Sequence, residues 1–428
     1  MNRRTQFFWQ LAGLPFLLIG LCQHSLGKWA QPVEAPLERL LRNTQTYLQK
    51  NPNDAQGYYV LGRLHSLAFA RQTQTLSVYE SNAQRPLTEL PPYESILIAR
   101  DKTKPPTAAA LQHLSESIRQ YQRATELAPA KAAAWLGLGW MWESGAEFAA
   151  EVSRSKGGQA LPSNTSAWQT RALAAYRQAY ARSVKQDLAR EHAGPGANAQ
   201  ISLEAGQAIQ RLLQNRAAKP TVQEQAELLE IGNAITQLQH KPRVVTPIIF
   251  SLTQARPLTE LLAPGTCVRF DLSGDGQPRL WPWVKPETGL LVWDQTRQGR
   301  VRSGVQLFGS STWWIAWEHG YQPLALLDDN GDGWLAGAEL HGLAVWRDRN
   351  TNGVSEPGEV APVRQLGIRR LAVQATTTAD GVPANPNGLE LNDGRRLPTY
   401  DWTPTEIKEP ALARAQPTTR WAQRDARQ

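Results

Sequence analysis

Between residues 36 and 240 the apolar positions recur three and four apart on a background rich in Ala, Leu, Gln and Arg. That period predicts amphipathic helices. Trp135, Leu138, Gly139 and Trp142 form one such pattern, preceded by Ser117, Tyr121, Ala124 and then Pro129. An earlier copy places Tyr58, Leu61, Gly62 and His65 after Pro52 at the same offsets, and a partial third copy aligns Ala172, Tyr176 and Ala179. A Pro-rich stretch at 85–106 and a Gly/Ser-rich one at 145–166 separate the copies, and two more amphipathic helices, at 201–216 and 222–238, close the series. After Pro242 the pattern changes to short β-branched and aromatic runs. Strands are expected at 244–250, 267–270, 280–284, 290–293, 368–373 and 389–392, the last turning through Asp393-Gly394 into a hairpin. From Thr403 the chain is polar and Pro-rich, the composition of a disordered tail spanning 403–428.

The helical pattern, with small residues set to face large aromatics on paired helices, resembles a tetratricopeptide repeat. The resemblance implies stacked helix pairs whose concave surface docks a protein or peptide partner. Stacking also gives Tyr58, Trp135 and Tyr176 an expected place in the core. The fold class expected is α+β and multidomain: a TPR-like helical array at 36–240, then a mixed module of short strands and metal loops at 244–402.

Two twelve-residue stretches within that module, 328–339 (DDNGDGWLAGAE) and 348–359 (DRNTNGVSEPGE), share one plan. A hard divalent cation needs several oxygen donors on a tightly curved backbone. In the first stretch Asp328, Asn330 and Asp332 supply side-chain oxygens at the first, third and fifth positions. Gly333 permits the sharp turn, Trp334 offers its carbonyl, and Glu339 closes the site with two oxygens. The second stretch repeats this with Asp348, Asn350, Asn352, Gly353, the Val354 carbonyl and Glu359. Glu356 stands at the ninth position, where a ligand acts through water. Calcium, at about two ions, is the expected cofactor, because magnesium demands a more rigid six-coordinate geometry.

The spacing limits what these loops do. Only eight residues, 340–347, separate them, about two turns if helical, and Pro357 with Gly358 opposes a long exit helix. Structural calcium fits this better than a pair of helices that opens as a switch. Two weaker echoes lie upstream. Asp271-Leu-Ser273-Gly-Asp275-Gly276 has the front half of a loop without a closing acid. Asp294, Thr296, Gln298 and Gly299, followed by Gln306, keep the first carboxylate and the glycine, which reads as a structural turn.

The phrases RFDLSGDG, GLLVWD, GVQLFGS, LALLDDNGDGWLAGAEL, GLAVWRDRNTNGVSEPGEV and LGIRRLAV, across 268–372, resemble the EF-hand-like calcium modules of exported bacterial proteins, including those attached to RTX-type toxins. The resemblance implies an extracytoplasmic, calcium-stabilised module of short strands and helical turns.

Composition changes this picture in three places. The first 27 residues carry Arg3 and Arg4 ahead of an apolar run at 7–22, the pattern of an export signal, or of a membrane anchor where it stays uncleaved. The expected location is therefore extracytoplasmic: periplasm, cell surface or medium. Cys22 and Cys267 are the only cysteines, so a chain that has lost the signal forms no internal disulfide. Finally, residues 325–360 hold seven acids against two arginines in a chain of net charge +8. A basic body with an acidic segment makes an anionic envelope polymer a second candidate partner. Nucleic acid is not expected, since the basic residues are scattered and accompany no recognised motif.

No nucleophile motif, phosphate loop or zinc signature stands in the chain, and no catalytic residue is nominated. Trp313, Trp314 and Trp317 beside Glu318-His319 are the one aromatic cluster near titratable groups. Core packing is their expected role and a sugar-stacking surface the alternative. The expected function is a non-catalytic, exported calcium-binding interaction or scaffold protein. The competing reading is a hydrolase acting on envelope polysaccharide or peptide.

Overall fold

The computed structural model describes residues 35–72, 106–191, 193–195, 201–274 and 277–408. The N-terminal segment 1–27, most of the Pro-rich stretch and residues 409–428 lie outside them. The first half is helical: α1 (Leu37–Lys50), α2 (Ala55–Gln72), α3 (Ala108–Leu127), α4 (Ala132–Gly145), a short α5 (Ala149–Arg154), α6 (Thr165–Ala189), α7 (Ile201–Asn215) and α8 (Val222–Gln239). Side chains set several of the starts. Thr107 and Asn164 accept main-chain N–H groups at the heads of α3 and α6, and Thr221 with Glu224 forms a reciprocal capping box on α8.

The helices pack in sequence, α1 on α2, α2 on α3, α3 on α4, α4 on α6, α6 on α7 and α7 on α8. Close approach depends on glycine facing tyrosine. The ring of Tyr121, on α3, lies against Gly62 of α2, where an added Cβ would sit 2.9 Å from it, and also against Gly137 of α4. Tyr176 of α6 meets Gly139 of α4 in the same way, at 2.7 Å. Tyr176 is buried as expected, but Tyr58 and Trp135 are only half-buried. The helix phase turns Tyr59 and Tyr121 inward instead. Trp135 lies at the rim, with its Nε1 donating to the Pro129 carbonyl (2.9 Å) and the Arg182 guanidinium over its ring.

The second half is built from strands. After β1 (Ala193–Pro195), which pairs in parallel with β2 (Arg243–Val244), come β3 (Ile248–Ser251), a short α9 (Leu258–Leu261), β4 (Leu262–Phe270), β5 (Arg279–Val284) and β6 (Thr288–Trp293). Then follow α10 (Tyr321–Ala325), β7 (Trp334–Ala336), β8 (Leu343–Trp346), β9 (Val360–Pro362), β10 (Ile368–Ala372), β11 (Thr377–Ala379), β12 (Val382–Leu391) and β13 (Arg396–Asp401). Nine of these strands form one antiparallel sheet in the order β7-β10-β12-β13-β3-β6-β8-β9, with β11 beside β12. Strands β4 and β5 make a separate hairpin.

Both faces of the sheet are covered, which explains the apolar runs in its central strands. Ile248 and Phe250, Leu291 and Trp293, and Leu343 and Val345 point into a core continuous with the helices. Their neighbours Ile249, Leu290, Val292, Ala344 and Trp346 point into a second core shared with Trp281 and Trp283 of the β4–β5 hairpin. Helices and strands thus change over at 240–244, yet one apolar core crosses that point. The buried Arg63 side chain crosses it too, donating from Nε to the Trp314 carbonyl at 3.0 Å.

Two expectations change. The link 340–347 contains strand β8 and no helix, because Leu-Ala-Val-Trp has a core on each side. Residues 403–408, expected to start a disordered tail, pair with the module: Thr405 bridges Val244, and Ile407 bridges Leu280 with its N–H on the Leu280 carbonyl at 2.8 Å. They cover main-chain groups that would otherwise form bare strand edges.

Candidate metal-binding loops

The residues 328–339 connect α10 to a 3-10 turn by way of β7, and the residues 348–359 join β8 to β9. Neither stretch lies between two long helices. Six hydrogen bonds nevertheless recur at matching positions in the two, although the first loop has two more, from Gly331 N to Asp328 Oδ1 (2.7 Å) and from Asn330 N to Glu339 Oε1 (3.3 Å). In the first loop the Asp328 carboxylate accepts the N–H groups of Gly333 (2.8 Å) and Asp332 (3.3 Å). Asn330 Oδ1 accepts from Asp332 N (2.8 Å) and Asp332 Oδ1 from Trp334 N (2.8 Å). Glu339 reaches back to the N–H groups of Asp329 (2.8 Å) and Ala336 (3.0 Å).

The second loop repeats each of these. Asp348 accepts from Gly353 (2.7 Å) and Asn352 (3.1 Å), Asn350 Oδ1 from Asn352 (3.2 Å), and Asn352 Oδ1 from Val354 (2.8 Å). Glu359 accepts from Arg349 (2.8 Å) and Glu356 (3.1 Å). The turn in each loop needs a left-handed residue at its sixth position, which Gly333 (φ 83°) and Gly353 (φ 72°) supply. Glu356 accepts from the amides of Asn350 (2.6 Å) and Asn352 (3.1 Å), so the third, fifth and ninth positions of the second loop meet.

Burial follows the same plan in both. The closing glutamates Glu339 and Glu359 are buried, whereas Asn330, Asp332, Asn350 and Asn352 are exposed. Trp334 is half-buried and Val354 exposed. The loops differ at the first ligand. Asp328 is half-buried, but Asp348 is fully buried and its Oδ2 also accepts the indole N–H of Trp283 at 2.6 Å. Burial pushes the Asp348 carboxyl up and the charge of Glu359 adds to this, against the hydrogen bonds from Gly353, Asn352 and Trp283.

The donor set is all oxygen: carboxylate, amide and main-chain carbonyl, the set a hard cation takes. Asp328 Oδ1, Glu339 Oε1 and Asp348 Oδ2 each accept two N–H groups, while the other oxygen of each of these carboxylates accepts one and keeps acceptor capacity. Among the described residues, no three or more His, Cys, Asp or Glu side chains are gathered so as to hold a metal ion by themselves. Ion binding would therefore rely on the amides and carbonyls of the loops as well as on their acids.

The upstream echo at Asp294 retains the scaffold without the charge. Asp294 accepts from Gln298 (3.0 Å) and Gly299 (2.9 Å), and the neutral Gln306, one place past the closing position, takes the Arg302 N–H on its Oε1 (2.8 Å). It is a turn of the same design with its carboxylates reduced to one. Of the other echo, residues 275–276 lie outside the described residues.

The aromatic cluster is core. Trp313, Trp314 and Trp317 are buried, and Glu318 beside them is exposed. A shallow depression of about 260 Å³ next to the first loop is lined by His319, Tyr321, Gln322 and Gln374 among others, with no carboxylate. Sequence reasoning missed Trp283, which holds the second loop from outside, and Asp329, which ties the first loop to α1. Asp329 carried a local signal, a second acid directly after the first ligand, but its partners are almost 290 positions away.

The family model for the SPM domain matches residues 259–395, a range that contains both loops. Over 107 residues the chain is 37% identical to the iron-regulated protein FrpA of Neisseria meningitidis serogroup C. That similarity covers 24% of this chain and 10% of FrpA, so this chain spans about a tenth of that relative's length. The likeness is thus to one segment of a much larger protein.

Proposed function

We propose that this chain is an exported calcium-binding interaction protein: a tetratricopeptide-like helical array that docks a protein or peptide, joined to a module stabilised by about two calcium ions. The observation that carries the reading is the repetition of one hydrogen-bond network in two loops. Two loops of different sequence hold matching acids and amides in matching main-chain cradles. Asn or Asp at the third and fifth positions closes the turn through main-chain bonds and brings side-chain oxygens into the same loop as the first and closing acids in both cases. The loops are EF-hand-like in ligand plan and differ in setting, with strands and 3-10 turns in place of long flanking helices. Such a site staples the module and exposes no groove.

The helical half supports a docking role through its stacked pairs with glycine–tyrosine contacts. Export rests on the residues 1–27, and would put the protein where calcium and an anionic envelope polymer are both at hand.

Calorimetry on the protein without residues 1–27 tests the reading. Calcium should bind at about two sites with Kd on the order of 10⁻⁴ M, and should raise Tm relative to chelator. Glu339→Gln with Glu359→Gln should abolish both effects. The absence of binding heat together with an unchanged Tm would refute the reading.

A further inference from the structure

Helix α1 grips the first loop and not the second. Arg39, Arg42 and Asn43 lie three and four apart and therefore share one face of α1. All three converge on Asp329 Oδ1: Arg39 Nε at 2.9 Å, Arg42 Nη2 at 3.3 Å and Asn43 Nδ2 at 2.7 Å. Asn43 Nδ2 also donates to the Leu326 carbonyl at 2.9 Å, and Arg39 Nη2 donates to the Leu327 carbonyl. The clamp thus holds the chain on both sides of Asp328, the first ligand position.

Asp329 is the pivot. Its side chain belongs to the clamp, while its main-chain N–H donates to Glu339 Oε1, the closing carboxylate. The second loop provides an internal contrast. There the same position is Arg349, whose N–H makes the same bond to Glu359 but whose charge is opposite. A cationic side chain could not be held by Arg39 and Arg42.

We propose that ion binding at the first loop and docking of α1 onto it are thermodynamically linked, so that calcium tightens the helical half against the module through Asp329. The proposal rests on the calcium reading above. Linkage is reciprocal: whatever factor the ion adds to docking, docking adds to ion affinity. The clamp fixes the main chain at Leu326, Leu327 and Asp329, and an ordered loop loses less freedom when its ligands close on the ion. The second loop stands outside this coupling.

The test uses the protein without residues 1–27. Hydrogen exchange is followed over α1 with and without calcium, and calcium binding is titrated in parallel. Calcium should slow exchange across 37–50 in the wild type and in Glu359→Gln, but not in Glu339→Gln. Asp329→Ala, and separately Arg39→Ala with Arg42→Ala, should weaken the first site on the order of fivefold or more, the lower range of site–site coupling, and leave the second unchanged. Asp329 is partly exposed and is not a side-chain ligand, so its alanine variant is expected to fold. Two calcium sites whose affinities and α1 exchange do not respond to these variants would overturn the linkage and leave the calcium reading standing. Absence of calcium binding in the wild type would overturn both.

Discussion

Trp283 and Asp348 illustrate how a single donor serves a candidate ligand. Trp283 is buried in the second core, and its indole N–H is within 2.6 Å of an Asp348 carboxylate that is fully removed from solvent. Trp283→Phe would preserve most of the packing and leave that carboxylate one donor short. Affinity at the second loop should fall about 10- to 100-fold, the usual effect of losing an outer hydrogen bond to a ligand. The first loop should be unaffected. Equal loss at both loops, measured by calorimetry, would indicate general destabilisation instead. The loop positions were legible because the pattern is local: twelve residues contain the candidate donors, the turn glycine and the closing acid. Trp283 was not legible, since it stands 65 positions from Asp348 and nothing in its own neighbourhood marks it.

Among the elements, the α2–α3 contact has a chemistry of its own. His65 Nδ1 and His113 Nδ1 lie 2.9 Å apart, so the pair shares one proton between two neutral rings. Burial lowers His65 to about 4, helped by the charges of His113 and Arg119 and opposed by Glu116. Burial also lowers His113, with Glu116 again opposing. An unfolded histidine titrates near 6.5. Between there and about 4 the unfolded chain binds more protons, so stability falls as pH drops through that window. Above it the contribution is complete. Melting temperature should therefore decline between pH 7 and pH 5 more steeply in the wild type than in His65→Gln/His113→Gln. Parallel declines would show that other groups set the acid response.

Helices were readable at this scale because the 3.6-residue period survives wherever one face meets solvent. α7 and α8 were located to within a residue or two. Strand β8 was not readable: it has only four residues, all buried, between two loops whose ligand-like pattern dominates the local sequence. Short strands such as β7 and β11 carried too few residues to show a period. The phases of Tyr58 and Trp135 were misjudged for a related reason. Adjacent aromatics such as Tyr58 and Tyr59 leave one-residue ambiguities that only the neighbouring helix resolves.

Across the whole molecule the changeover from helices to strands does not divide the core. Leu37, Tyr59 and Leu114 belong to the same apolar cluster as Phe250, Trp313 and Val345. Unfolding should therefore be a single event, with helical ellipticity and tryptophan fluorescence melting together. Two separated transitions would show that the halves hold themselves up independently. The α+β class was legible in the sequence; the shared core was not, because it depends on pairs of residues hundreds of positions apart.

The double-sided burial of the central sheet also bears on how such a segment can be reused. FrpA shares only a tenth of its length with this chain. A sheet whose second face is apolar cannot travel as bare cargo; each host must bring its own lid. In this chain that face shares its core with Phe308, Trp313, Ile315 and Trp317 as well as with the helices, which makes the array a structural neighbour of the module as well as a candidate docking platform. Surgery that separates the two for convenience would remove a wall from each.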